Sequence, residues 1–312
     1  MKKRYVLAAA IAVLALSLTA CSNTATPGGS DSKVIKIGFI TKFPVDFYDT
    51  MVTAAKAWDA KTPGAELVFS QGKSGTDDES EINAIQADIT LGVKAIAITP
   101  TSPNVKGALQ KAVDAGIKVI LIDNDIPDWD GKTAVVATDN LAGGVLAGEY
   151  LAKTLKPGAK IAILQGVLGN PSLDDRVTGM LKGLGSSATV VAKTPTDCDQ
   201  TKGLNAGQDI LTANPDLDAI YSACGPPLTG ALQAVKAAGK EGKLVTVGFD
   251  ASPDEVTAIA GGTETASVAQ FPAKMGSLGA QSAYDAARGK KVGAHVDTGT
   301  ELVTKDNVAD FQ

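Results

Sequence analysis

Histidine is almost absent from this chain of 312 residues: His295 is the one copy. A catalytic triad or a histidine metal cage would have to be built around it. Its Gly-rich setting near the C-terminus reads as a surface or packing position, and no metal or cofactor is expected. Aromatic residues are scarce at 4 %, so each one close to a loop stands out. Positive charge has no surplus: 29 Lys and Arg against 34 Asp and Glu leave a net charge of −5. That excludes the basic face of a nucleic-acid binder. No apolar run reaches the roughly 20 residues a membrane-spanning helix needs. Cysteine is limited to Cys21, Cys198 and Cys224.

What is present begins with an address. Lys2, Lys3 and Arg4 precede an apolar stretch from Tyr5 to Leu18, and Leu18-Thr19-Ala20 lead to Cys21. A basic start, an apolar core and small residues before a cleavage point predict a secretory signal over 1–20. Leu-Thr-Ala-Cys resembles the bacterial lipobox, whose cysteine is lipidated and becomes the new N-terminus. Cys21 is therefore expected to anchor an extracytoplasmic protein to the cell membrane. The plainer alternative is an ordinary signal with an incidental cysteine. Residues 21–32, small and polar with Pro27-Gly28-Gly29, read as a flexible tether. Cys198 and Cys224 remain, in an exported chain where disulfides persist. Spacing alone leaves both a bridge and two buried free thiols open.

From Val34 onward, apolar strands alternate with amphipathic helices. Strands are predicted at 34–40, 67–69, 95–98, 117–123, 160–164, 189–192, 219–222, 244–248 and 265–269. Helical periodicity lies between them, as in Met51, Ala54, Ala55 and Trp58, and in Ile82, Ile85 and Ile89. Thr76-Asp77-Asp78-Glu79 reads as a capping box for the second helix. Continuous apolar strands alternating with helices mean parallel sheets covered on both faces. There are too many strands for one open sheet of this length, so the expected fold is α/β with two similar doubly wound lobes.

In doubly wound sheets, ligands bind beyond the C-terminal strand ends. Those segments hold Phe43, Phe47 and Tyr48 in one aromatic-rich loop, Asp123 and Asn124, and Asp174, Asp175 and Arg176. They also hold Cys224, Phe249 and Asp250, and Gln270. Carboxylates, amides, a guanidinium and ring faces are the set that sugar or polyol recognition needs. Helix N-termini attract Asp and Asn as caps in any case. Asp123 and Asp250 directly follow apolar strands, which capping explains less well.

At this point the chain resembles the periplasmic sugar-binding proteins of ribose-binding type, which share a fold with the ligand domain of lactose-repressor-like regulators. The resemblance rests on Phe47-Tyr48, Val119–Asp123, Ala137-Thr138-Asp139-Asn140 with Ala142-Gly143-Gly144, and Leu164-Gln165-Gly166. It continues through Lys202-Gly203-Leu204-Asn205, Val247–Asp254 and Ala269-Gln270-Phe271-Pro272. It implies two lobes joined by a three-segment hinge: 33–137 plus 272–297, and 138–271 plus 298–312. It also implies a monomer that binds a small neutral sugar or polyol by closing its lobes and delivers it to the permease and ATPase of an ABC importer. Ligand roles fall on Phe47, Tyr48, Asp123, Asn124, Arg176, Cys224, Phe249, Asp250 and Gln270. The pattern departs at Asn124, often Arg in the family, at Cys198, commonly aromatic, and at Cys224, commonly Asn. Both cysteines thus occupy neighbouring pocket positions, which favours a bridge and argues against ribose itself.

Other motifs carry less. Gly72-Lys73-Ser74 hints at a phosphate loop, but the first glycine of that motif would fall at Leu67, inside a strand. Asp123-Asn124-Asp125 and Asp128-Trp129-Asp130-Gly131 hint at calcium, but Pro127 takes a ligand position and the closing acid is missing. Two rival functions stay open: an exported enzyme using Asp123 and Asp250 on a sugar or nucleoside, and a sensing subunit for a membrane receptor. A DNA-reading regulator is excluded by the secretory segment standing where its helical domain would be.

Overall fold

The structure, a computed structural model, describes residues 34–312; the predicted signal, Cys21 and the whole tether lie outside them. Among the described residues the strands are β1 (Ile35–Thr41), β2 (Ala65–Gln71), β3 (Ala95–Ile98), β4 (Lys118–Ile122), β5 (Ala134–Ala137), β6 (Ala159–Gln165), β7 (Ala188–Pro195), β8 (Ala219–Ser222), β9 (Val245–Asp250), β10 (Ala266–Ala269), β11 (His295–Asp297) and β12 (Glu301–Thr304). The helices are α1 (Asp46–Asp59), α2 (Asp78–Leu91), α3 (Lys106–Asp114), α4 (Asn140–Thr154), α5 (Pro171–Leu184), α6 (Gln200–Ala213), α7 (Gly225–Ala237), α8 (Pro253–Gly261) and α9 (Pro272–Ala287).

The strands form two six-stranded sheets with matching orders, β11-β5-β4-β3-β1-β2 and β12-β10-β9-β8-β6-β7. Alternation along each strand explains the layering. In the first sheet Ile37, Phe39, Ile120 and Ile122 pack under α1 and α9 against Met51, Met275 and Ala283. Ile96, Ile98, Val119 and Leu121 pack on the other face with Ile85 and Leu109. The second sheet does the same, with Ile161 and Ile163 on one face and Ala162 and Leu164 on the other.

The chain passes between the sheets three times, at 137–140, 269–272 and 297–301. These crossovers are tied to one another and to strand ends. Thr298 N donates to Ala137 O at 3.1 Å. Thr300 Oγ1 donates to Ala269 O at 2.8 Å.

Several expectations are corrected. Three strands, β5, β11 and β12, were not predicted. The sheets are not wholly parallel, since β12 pairs with β10 antiparallel at an edge. The cap of α2 is Asp77, whose side chain accepts from Ser80 N, rather than Thr76. The real capping box is at α8, where Ser252 and Glu255 bond each other's backbone reciprocally.

Glycine sets one helix contact that matters for the site. α4 and α5 touch backbone to backbone. A Cβ at Gly144 would lie 2.3 Å from Arg176 O, and one at Gly179 would lie 2.2 Å from Leu141 O. Arg176 is thereby held by the main chain of its neighbour. Gly144→Val should force the helices apart and cost about 2–4 kcal/mol, read as a lower urea midpoint.

Acids are buried against the sheets as well. Gly38 makes room for Asp88, and Gly248 for Glu255 with Glu264 beside it. Burial pushes Asp88 up to about 7 and Glu255 up to about 8, and raises Glu264 well above the usual carboxylate range. In the folded state these groups hold protons that the unfolded chain releases from about pH 4.5 upward. Stability should therefore fall as pH rises from about 4.5 through about 8. Calorimetric melting at pH 5 and pH 8 checks this: Tm should be lower at pH 8, and Glu255→Gln should shrink the difference. A Tm that rises over this interval contradicts the assignment.

Candidate functional site

The C-terminal edges of both sheets carry polar clusters, and each cluster is built around an aspartate with a left-handed backbone. Asp123, just after β4, has φ 66°, and Asp250, ending β9, has φ 103°. L-residues adopt this region at a cost and hold it only when their surroundings enforce it. The two positions are equivalent in the matching strand orders. Each turns a carboxylate out of its sheet.

On the first sheet, Tyr48 Oη donates to Asp123 Oδ2 at 3.2 Å, and Asn124 Nδ2 donates to the same oxygen at 2.6 Å. Burial, and then the Asp123 carboxylate, raise the Tyr48 phenol well above its ordinary value, so it stays a donor. Phe47 and Tyr48 do not lie in a loop, as expected from sequence, but in the first turn of α1. Phe47 and Phe43 both meet the Tyr48 ring edge-on, at centroid distances of 5.3 and 5.4 Å.

Lys42 joins this cluster without having been predicted. It follows β1 and is only 7 % exposed. Burial lowers its ammonium pKa, opposed by the charges of Asp123 and Glu81. Gly72 seats its main chain, since a Cβ there would come 2.4 Å from Lys42 O. Among the described residues Lys42 forms no ion pair within 4 Å. Glu81, on α2, is pushed up to about 7 by burial while its Oε2 accepts from Thr101 N and Oγ1, both at 2.9 Å. A lysine after a strand looks like surface in sequence; the strand-end rule was the one signal that could have selected it.

On the second sheet Arg176, 4 % exposed, is the hub. Its Nε donates to Asn140 Oδ1 at 2.8 Å, and its Nη1 donates to Ala223 O at 2.9 Å and to Asp250 Oδ1 at 3.2 Å. Gln270 Nε2 donates to the same Asp250 oxygen at 2.6 Å, and Gly225 N, at the start of α7, donates to Oδ2 at 3.3 Å. Burial raises the Asp250 pKa, opposed by the Arg176 charge.

Phe249 was expected to cover the ligand. It is fully buried in the core of the second sheet, and the Arg176 guanidinium lies 3.9 Å from its ring centroid. It supports Arg176 from beneath and does not face the cleft. Cys224 caps α7 and is bonded to Cys198, with the Cα atoms 5.7 Å apart. The bridge ties the loop after β7 to the same helix start that meets Asp250. His295 is exposed at the start of β11, at the end opposite the C-terminal edge that carries these clusters.

The two clusters meet. Asn170, at the start of α5 on the second sheet, donates through Nδ2 to Asn124 Oδ1 on the first at 3.2 Å. Ser172 Oγ reaches Asp123 O at 3.5 Å. Carboxylates, amides, a guanidinium and an ammonium thus converge between the sheets. Such a set can hold several hydroxyls of one small molecule by charge-assisted bonds.

Comparison with known proteins agrees with this architecture. Residues 37–291 match the profile of the periplasmic binding protein domain. The ribose import binding protein RbsB of Salmonella typhimurium is 33 % identical over 301 residues, covering 96 % of this chain and 98 % of its own. The D-allose-binding periplasmic protein of Escherichia coli is 32 % identical, covering 75 % and 78 %. Among solved structures, an ABC transporter solute-binding protein from Bacillus halodurans with bound myo-inositol superposes with a TM-score of 0.84 at 26 % identity, covering 91 % of this chain and 99 % of that one. With its fold, its strand-end clusters and relatives spanning nearly its full length, this chain belongs to the ribose-type periplasmic binding proteins.

Proposed function

We propose that the chain is an extracytoplasmic solute-binding subunit of an ABC importer, closing its two lobes over a small neutral sugar or polyol. The observation that carries this reading is the pair of facing half-sites, Tyr48–Asp123–Asn124 and Arg176–Asp250–Gln270, set on the C-terminal edges of two separate sheets. A ligand touching both halves favours the closed form by its differential affinity. Lys42 adds a donor to the first half. Opposed charges on both sides leave the cleft close to neutral, which suits an uncharged ligand.

The names of related proteins support the ligand class, since they include binders of ribose, allose and myo-inositol. An enzymatic reading has less support. Asp250 accepts from Arg176, Gln270 and Gly225, and Asp123 accepts from Tyr48 and Asn124 on Oδ2 alone, so both are oriented acceptors with capacity left for ligand hydroxyls. We further propose that Cys21 bears the lipid anchor, that residues 33–137 with 272–297 and 138–271 with 298–312 move as the two lobes, and that the monomer hands its ligand to a permease and ATPase.

A thermal-shift screen of D-ribose, D-allose, D-arabinose and myo-inositol should find at least one that raises Tm, because a ligand bound only by the native state stabilises it. Mass spectrometry should recover that ligand unaltered. Asp250→Asn should weaken it about 100-fold or more, through loss of charge-assisted bonds, with circular dichroism unchanged. Binding that survives this substitution at full strength removes Asp250 from the site; a converted sugar favours an enzyme.

A further inference from the structure

The Asp123 carboxylate is held by a relay that ends on the other sheet. Asn170 caps α5: its Oδ1 accepts from Leu173 N at 3.3 Å. A side-chain amide has one accepting oxygen and one donating nitrogen. Committing the oxygen of Asn170 to the cap turns its Nδ2 toward Asn124, where it meets Oδ1 at 3.2 Å. Asn124 must then aim its own Nδ2 at Asp123, which it reaches at 2.6 Å. Each amide orientation is fixed by the one before it, so the relay runs in one sense from a helix cap to a carboxylate.

The inner end of the relay is buried, and Asn170 is half-buried. Asn124 is 7 % and Ser172 8 % exposed. Pro100 and Pro103 of the first lobe line, with Val167 and Leu168 of the second, a groove of about 150 Å³ beside the relay. Val167 and Leu168 are themselves exposed apolar residues, at 38 % and 57 %.

We propose that Asn170 is a positioning residue for ligand binding: acting through Asn124, it fixes the Asp123 carboxylate only when the lobes are together, so that closure and completion of the first half-site are one event. The bond joins protein to protein, so its contribution to closure is the same for every ligand. The role in binding rests on the reading of Asp123 as a ligand contact; the role in closure does not.

The test therefore has two arms. In the first, the sugar-free full chain carries Ser102→Cys and Leu168→Cys, and the rate of capture by a short bis-maleimide reports the closed population, with the single-cysteine variants as baseline. Asn170→Ser keeps a capping oxygen but is too short to reach Asn124. It should slow capture about fivefold, the value of one net hydrogen bond. Asn124→Ala should do the same, and the double variant should be no slower than either, since the two residues act as one unit. Equal capture rates with and without Asn170 overturn the proposal, whatever sugar the protein takes.

In the second arm, calorimetry and stopped-flow with D-ribose, D-allose and myo-inositol should show Asn170→Ser weakening affinity through faster dissociation, with the association rate unchanged. A slower association with unchanged dissociation also overturns it. If none of the three sugars binds the parent protein while capture still depends on Asn170, the sugar reading fails and the relay stands.

Discussion

A guanidinium taken out of water must be met on every side, and much of the second lobe can be read as the means of doing so for Arg176. Its helix is pressed backbone-to-backbone against α4 through Gly144 and Gly179. Asn140 and Ala223 O accept from its edge, Phe249 lies under its face, and Asp250 supplies the countercharge. Removing Asp250 would strand a buried charge, which costs several kcal/mol. The pair is a poor source of stability for the fold but a precise one for geometry. Asp250 is held by three donors from three elements while it keeps some exposure to the cleft.

The first lobe reaches a similar end by softer means. Asp123 occupies the position that matches Asp250, with the same left-handed backbone, but its partners are a phenol and an amide in place of a guanidinium. Lys42 attracts it without an ion pair within 4 Å. The asymmetry gives the cleft one ion-paired jaw and one held by neutral donors, and Asn124 of the latter is met from across the cleft by Asn170. Desolvation works alongside these contacts. Glu81 and Lys42 sit in the same buried region, and burial drives both toward their neutral forms.

Much of this was legible in the residues. β3 and β8 are short, mostly apolar and preceded by a charged residue, and sequence places both to the residue. Asp123, Arg176, Asp250 and Gln270 were selectable because strand ends in a doubly wound sheet are where polar side chains converge. What was missed has physical causes. β5 is four residues after an irregular loop, and β11 and β12 are short edge strands with polar positions, too brief for a period to emerge. Phe249 was misread because strand alternation decides which face an aromatic takes, and it fell on the core side. Asp77 displaced Thr76 as a cap because adjacent capping residues compete and aspartate caps better than threonine. Lys42 and Asn170 lie beyond strand ends, but nothing in the residues themselves marked their roles, since burial and long-range partners are set by the tertiary fold.

The three crossovers carry a consequence for how the protein is made. The first sheet takes its outer strand β11, and the helix α9 that covers its core, from residues that follow five of the second sheet's six strands in the chain. A polypeptide emerging from its N-terminus therefore cannot finish its first half until nearly all of its second half has been delivered. That dependence keeps the early portion incomplete for longest. Assembly waits on the last few dozen residues.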